Sequence, residues 1–121
     1  MTIAEEFSSW SKNLNIQNIP EKTQSTLRFL LKDICGIILS ARNENYVKSL
    51  VETYRGSGNI ISLGHSEKFD LFSSAIIAGT AAHGEDFDDT FEGNPMHVGA
   101  TMIPAMLSAA QKFNLTGDQI L

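Results

Sequence analysis

Apolar residues return every three or four positions along almost the whole chain, and that spacing leaves little room for anything but packed helices. Ile3, Phe7, Trp10 and Leu14 mark one face of an opening segment, introduced by Thr2 and Glu5 at the spacing of a capping box. Residues 13–18 interrupt it. Beyond Pro20, which suits a first helical turn, Leu27, Leu30, Leu31, Ile34, Cys35, Ile38 and Ala41 form a broad stripe on a long second helix. Val47, Leu50, Val51 and Tyr54 repeat the pattern, and Arg55-Gly56-Ser57-Gly58 stops it.

The second half continues in the same period with different side chains. Residues 69–83 read as a helix dense in Ser73, Ser74, Ala75, Ala78, Gly79, Ala81 and Ala82, which lets a neighbour approach closely and marks an inner element. Residues 101–113 form a last apolar helix, with Pro104 in its first turn or at a kink. Between the third and fourth helices, Ile60, Ile61 and Leu63 make a short extended segment with no visible partner strand, which is read as a connector. Trp10, Phe69 and Phe72 are assigned to the core and His65 to solvent, while Met96 and Met102 flank His97 closely enough to line a pocket but are assigned first to gap-filling. The expected class is all-α, with about five helices and one short extended connector.

Thr116-Gly117-Asp118-Gln119 again has capping-box spacing, so Ile120 and Leu121 stand where a further helix would begin. Residues 1–121 are accordingly expected to be a partial, truncated helical domain. Hydrophobic residues at 42% and charged residues at 19% exclude a disordered tail. Nine Lys+Arg against fourteen Asp+Glu, without a basic stripe, exclude nucleic acid and an anionic membrane surface as partners. No apolar run reaches the roughly 18 to 20 residues that span a bilayer, and no basic, apolar leader opens the chain. The lone Cys35, in an apolar run and read as a buried, inert thiol, has no internal disulfide partner, which favours a reducing, cytoplasmic setting.

Acidity is uneven. Glu85, Asp86, Asp88, Asp89 and Glu92 crowd one inter-helix segment, and no Lys or Arg occurs between Lys68 and Lys112. That segment also carries Thr90 and lies between His83 and His97, on a loop of the kind that presents reactive groups. Helix-capping aspartates account for several of these residues individually. Four like charges over residues 85–89 nevertheless repel by several kcal/mol in a poorly solvated site, on the order given by Coulomb's law, and something must offset them. Asp88-Asp89-Thr90-Phe91-Glu92 also fits a magnesium and diphosphate motif of the terpenoid-synthase type, though without nearby cations for a diphosphate. A calcium loop is excluded because Phe91 stands where glycine is required.

Residues 81–90 (Ala81-Ala82-His83-Gly84-Glu85-Asp86-Phe87-Asp88-Asp89-Thr90), His97-Val98-Gly99-Ala100 and Ile103-Pro104-Ala105 resemble the active-site stretch of the MmgE/PrpD family. That family includes 2-methylcitrate dehydratase, cis-aconitate decarboxylase and iminodisuccinate epimerase. Ile19-Pro20, Leu31-Lys32-Asp33, the Gly-rich connector before Ile60 and Thr116-Gly117-Asp118 fall in family order, so the resemblance covers nearly the whole chain. Val98 stands where many relatives carry proline.

The resemblance implies the N-terminal part of a helical domain that pairs with a smaller lid domain, in a homodimer. It implies a lyase, with hydro-lyase first, or an isomerase, acting without metal or other cofactor on a small di- or tricarboxylate. It makes His97 and Asp86 catalytic and Thr90 substrate-binding, with His83, Asp88 and Asp89 in support. An imidazole can exchange a proton near neutral pH, and a carboxylate can orient it. The cations that hold substrate carboxylates are expected beyond residue 121, which leaves the isolated chain inactive. The rivals are a non-catalytic helical interaction module and the magnesium site.

Overall fold

A computed structural model describes residues 1–120. The order is α1 (Ile3–Lys12), a 3-10 turn (Ile16–Asn18), α2 (Glu21–Ala41), α3 (Asn45–Tyr54), β1 (Ile60–Ile61), β2 (Lys68–Phe69), α4 (Leu71–His83), α5 (Val98–Phe113) and α6 (Gly117–Ile120). The chain is all-α apart from one small hairpin. Helix α4 is the inner element its small residues predicted: it packs against α2, α3 and, most extensively, α5. The core centres on Ile34, Ile38, Val47, Phe69, Ile77, Ala81 and Ala82, all without solvent exposure. A polar seam runs through it, in which the Ser108 hydroxyl donates to Ser74 Oγ at 3.0 Å and the Ser62 hydroxyl to the Ser74 carbonyl at 3.2 Å. Each buried hydroxyl is thereby paired, as the cost of burying it requires.

The first expected capping box forms in full and the second in half. Glu5 N–H donates to Thr2 Oγ1 at 3.3 Å while Thr2 N–H donates to Glu5 Oε2 at 2.7 Å. At α6, Thr116 N–H donates to Gln119 Oε1 at 2.9 Å; Leu121 lies outside the described residues.

The aromatic assignments need correction. Helix α1 buries no residue, and Trp10 is 58% exposed, with the Phe7 ring tilted against it. Phe72 is 75% exposed, whereas Phe69 is fully buried but belongs to β2 and not to a helix. Asp70 sets that boundary. Its carboxylate caps α4 by accepting from the N–H groups of Phe72 and Ser73, and from the Ser73 hydroxyl at 2.6 Å. These bonds, that hydroxyl first, hold the carboxyl down to about 2.

The connector also has a strand partner. Ile60 pairs with Phe69 and Ile61 with Lys68 in an antiparallel register. The Gln111 amide of α5 clamps this edge, accepting from Ile61 N–H at 3.0 Å and donating to its carbonyl at 2.8 Å. Pro104 lies inside α5, not in its first turn, because the helix begins at Val98. Half-burial lowers the pKa of the His65 imidazole, which is not simply solvated, and raises that of the Cys35 thiol, which is half-buried rather than enclosed. Among the described residues no helix is long and apolar enough to cross a membrane.

Candidate active site

The acidic segment leaves α4 at His83 and enters α5 at Val98. Its first turn is pinned to α3. The Tyr46 hydroxyl donates to Glu85 Oε1 at 2.8 Å, and a side chain on Gly84 would stand 2.5 Å from the tyrosine ring. Only glycine permits that approach. Burial, followed by the Glu85 bond, pushes the Tyr46 phenol up to about 12. Asp86 then takes a left-handed conformation, φ 57°, with its N–H donating to the His83 carbonyl at 2.9 Å. This reversal turns the chain back over the end of α4.

Asp88 sits at the centre of the cluster. Its side chain is wholly shielded from solvent, and His83 Nδ1 lies 3.1 Å from both carboxylate oxygens. His97 Nδ1 lies 3.2 Å from Oδ2. The second approach is close but poorly directed, so the shielded His97 Nδ1 has no properly formed hydrogen bond. The two imidazoles meet edge to face, with ring centroids 4.7 Å apart. Asp86 joins them: one donor atom from each of His83, Asp86, Asp88 and His97 lies within 4.8 Å of the others.

Asp89 faces elsewhere. Its Oδ1 accepts from Gly99 N–H at 2.9 Å in the first turn of α5, where a carboxylate complements the helix dipole. The four-charge repulsion is thus partly dispersed: Glu85 turns to Tyr46 and Asp89 to a helix end, while Asp88 and the exposed Asp86 share the two imidazoles.

His97 itself immediately precedes α5 and is held from both sides: Asp88 lies against its ring, and its carbonyl accepts from the Thr101 hydroxyl at 2.9 Å. With Met96, Val98, Thr101 and Met102 it lines a hollow of about 390 Å³. The two methionines are half-exposed lining, not gap-fillers within the core. A larger hollow of about 550 Å³ is apolar and contains none of these titratable groups. Thr90 is exposed on the loop. The magnesium motif fares poorly: it lies on a loop instead of an inner helix, and Asp88 and Asp89 turn to different partners.

The profile of the MmgE/PrpD N-terminal domain matches residues 5–121. The chain belongs to the MmgE/PrpD family. A cis-aconitate decarboxylase-like protein of Aspergillus oryzae (strain ATCC 42149 / RIB 40) is 24% identical over 113 residues, which cover 90% of this chain and 23% of that protein. The chain therefore spans about a quarter of the length of this relative. No solved structure matches it.

In this MmgE/PrpD domain, His83, Asp86, Asp88 and His97 come together from the sequence-predicted set, while Asp89 serves the backbone of α5. The central position of Asp88 was not legible, because adjacent aspartates carry no mark of which one turns inward. Tyr46 carries no such signal in the sequence either. It lies outside the Val47, Leu50, Val51 and Tyr54 repeat of α3, and nothing local points to a bond with a carboxylate 39 positions away.

Proposed function

We propose that this chain supplies the proton-handling part of a cofactor-independent lyase or isomerase acting on a small di- or tricarboxylate, with a 2-methylcitrate dehydratase-like hydro-lyase first. The observation that carries the reading is the convergence of His97 with Asp86 and the buried Asp88 in one cluster, from which His97 also lines a hollow. His97 exchanges the proton at a carbon next to a substrate carboxylate, Asp86 orients the reacting group, and Thr90 hydrogen-bonds a substrate carboxyl. Residues 1–121 act as part of a larger helical domain that a lid domain completes, in a cytoplasmic homodimer, and are inactive alone.

Family membership and the resemblance of the segment between His83 and Gly99 support this reading. Substrate carboxylates need cations, and because the sequence between Lys68 and Lys112 supplies none, the reading requires them from elsewhere in the whole protein. The test is turnover of 2-methylcitrate, cis-aconitate and iminodisuccinate by the whole protein and its His97→Gln variant. Activity on one substrate that falls at least about 100-fold in the variant is expected. Undiminished turnover refutes the role of His97, and no turnover of any of the three refutes the substrate class.

One observation favours a second reading. Helix α1 exposes Ile3, Phe7 and Trp10 on an amphipathic face, as a docking helix would. Under that reading His97→Gln leaves function intact, while charged substitutions at Phe7 and Trp10 abolish association with the partner polypeptide.

A further inference from the structure

A carboxylate that is shielded from water and has no lysine or arginine against it is costly unless donors surround it. Asp88 is in that position: the ion pairs it makes among the described residues are with imidazoles. An ionised carboxylate only accepts hydrogen bonds, and a neutral imidazole has one N–H to give. If His83 carried its proton on Nε2, the lone pair of Nδ1 would face two oxygens at 3.1 Å. Placing the proton on Nδ1 turns that repulsion into a bond. The same reasoning applies to His97, whose shielded Nδ1 lacks any other partner and lies 3.2 Å from Oδ2.

We propose that Asp88 is a positioning residue that fixes both imidazoles as Nδ1–H tautomers and so presents Nε2 of His97 as the atom that takes or returns the substrate proton. The proposal rests on the functional reading above only for its last clause. In the forward step the substrate C–H bond breaks, its electron pair stays on the carbon beside the carboxylate, and the proton forms an N–H bond at Nε2. The ring is then an imidazolium with protons on both nitrogens, and the Asp88 carboxylate on its far side balances the new charge. The reverse step returns the same proton. Asp88 touches no substrate in this scheme, which separates it from Asp86. Its bifurcated contact with His83 Nδ1 also fixes the neighbour against which the His97 ring rests edge-on.

The test is spectroscopic and needs no turnover. Long-range proton–nitrogen correlation spectra of the substrate-free whole protein, at a pH where the rings are neutral, report which nitrogen of each imidazole is protonated. Protonated Nδ1 and bare Nε2 at both His83 and His97 are expected, together with loss of that signature at His97 in Asp88→Asn. Protonated Nε2 in the wild-type protein overturns the proposal, and that result does not depend on how the variant folds. Wild-type Nδ1 signals that move on addition of a chelator also overturn it, because the cluster would then hold a cation.

In kinetics, Asp88→Asn is expected to lower kcat by about 100- to 10,000-fold with little change in KM, and Asp88→Glu to recover part of it. A rise in KM alone overturns the positioning role. Nδ1–H tautomers in a protein that turns over no polycarboxylate would leave the tautomer assignment standing and remove the functional reading.

Discussion

Gly99→Ala is the sharpest perturbation of the frame that holds His97. Gly99 lies in the first turn of α5, two residues after the histidine, and its N–H donates to Asp89 Oδ1 at 2.9 Å. A methyl group there would overlap Asp89 Oδ1 and stand 2.9 and 3.0 Å from Cγ1 and Cδ1 of Ile34. Ile34 is fully buried, so it has no free space to retreat into. Overpacking of that kind costs about 1–3 kcal/mol. Displacing the Asp89 cap adds about 1 kcal/mol. The gain in helix propensity from glycine to alanine offsets up to about 1 kcal/mol. The net expectation is a loss of about 1–3 kcal/mol, read from urea denaturation followed by circular dichroism. Ile34→Val removes the clashing Cδ1 methyl, so the double variant should be less destabilised than the sum of the two single changes. A Gly99→Ala protein within about 0.5 kcal/mol of wild type would refute the close approach of α5 to α2 and to Asp89.

Other consequences arise from the two strongly shifted groups and from the core. The Asp70 carboxyl, held down to about 2, stabilises the fold above its ordinary range near 4 and loses that contribution as pH falls towards 2. Asp70→Asn should therefore flatten the acid limb of a melting-temperature profile, and an unchanged limb would contradict the cap. The Tyr46 phenol, raised to about 12, contributes stability that is complete below its ordinary value near 10 and disappears as pH rises through 12. Ultraviolet titration of tyrosine should show one late phenol in the wild-type protein, moving earlier in Glu85→Gln. Ile38→Ala, at a site with no exposure, should cost about 2–5 kcal/mol, and a loss below about 1 kcal/mol would place Ile38 outside the core.

Legibility in the sequence tracks the range of the forces involved. Helices α2 and α3 were legible because their apolar stripes face one core, and α4 because small residues signal close packing. Local signals also named their own caps, as at Thr2 with Glu5 and at Thr116 with Gln119. Periodicity alone failed where a side chain's fate depends on what lies opposite. Trp10 and Phe72 keep the helical rhythm yet face outward, since nothing among the described residues covers them. The hairpin is not legible because Lys68-Phe69 is too short to register as a strand, and β1 is held in place by Gln111, 50 positions away in α5. At the site, the convergence of His97 with Asp86 was legible through family resemblance. The inward turn of Asp88 depends on the left-handed Asp86 and on glycine at position 84, which only the folded backbone reveals.

The central claim, that His97 exchanges a proton at carbon beside a carboxylate, is tested most directly by deuterium exchange. The whole protein is incubated with 2-methylcitrate, cis-aconitate or iminodisuccinate in heavy water, and the label at each substrate carbon is followed by proton NMR. Deuterium appearing next to a carboxylate of one substrate, and its disappearance with His97→Gln, is the predicted result. Exchange that proceeds equally well without the imidazole would contradict it.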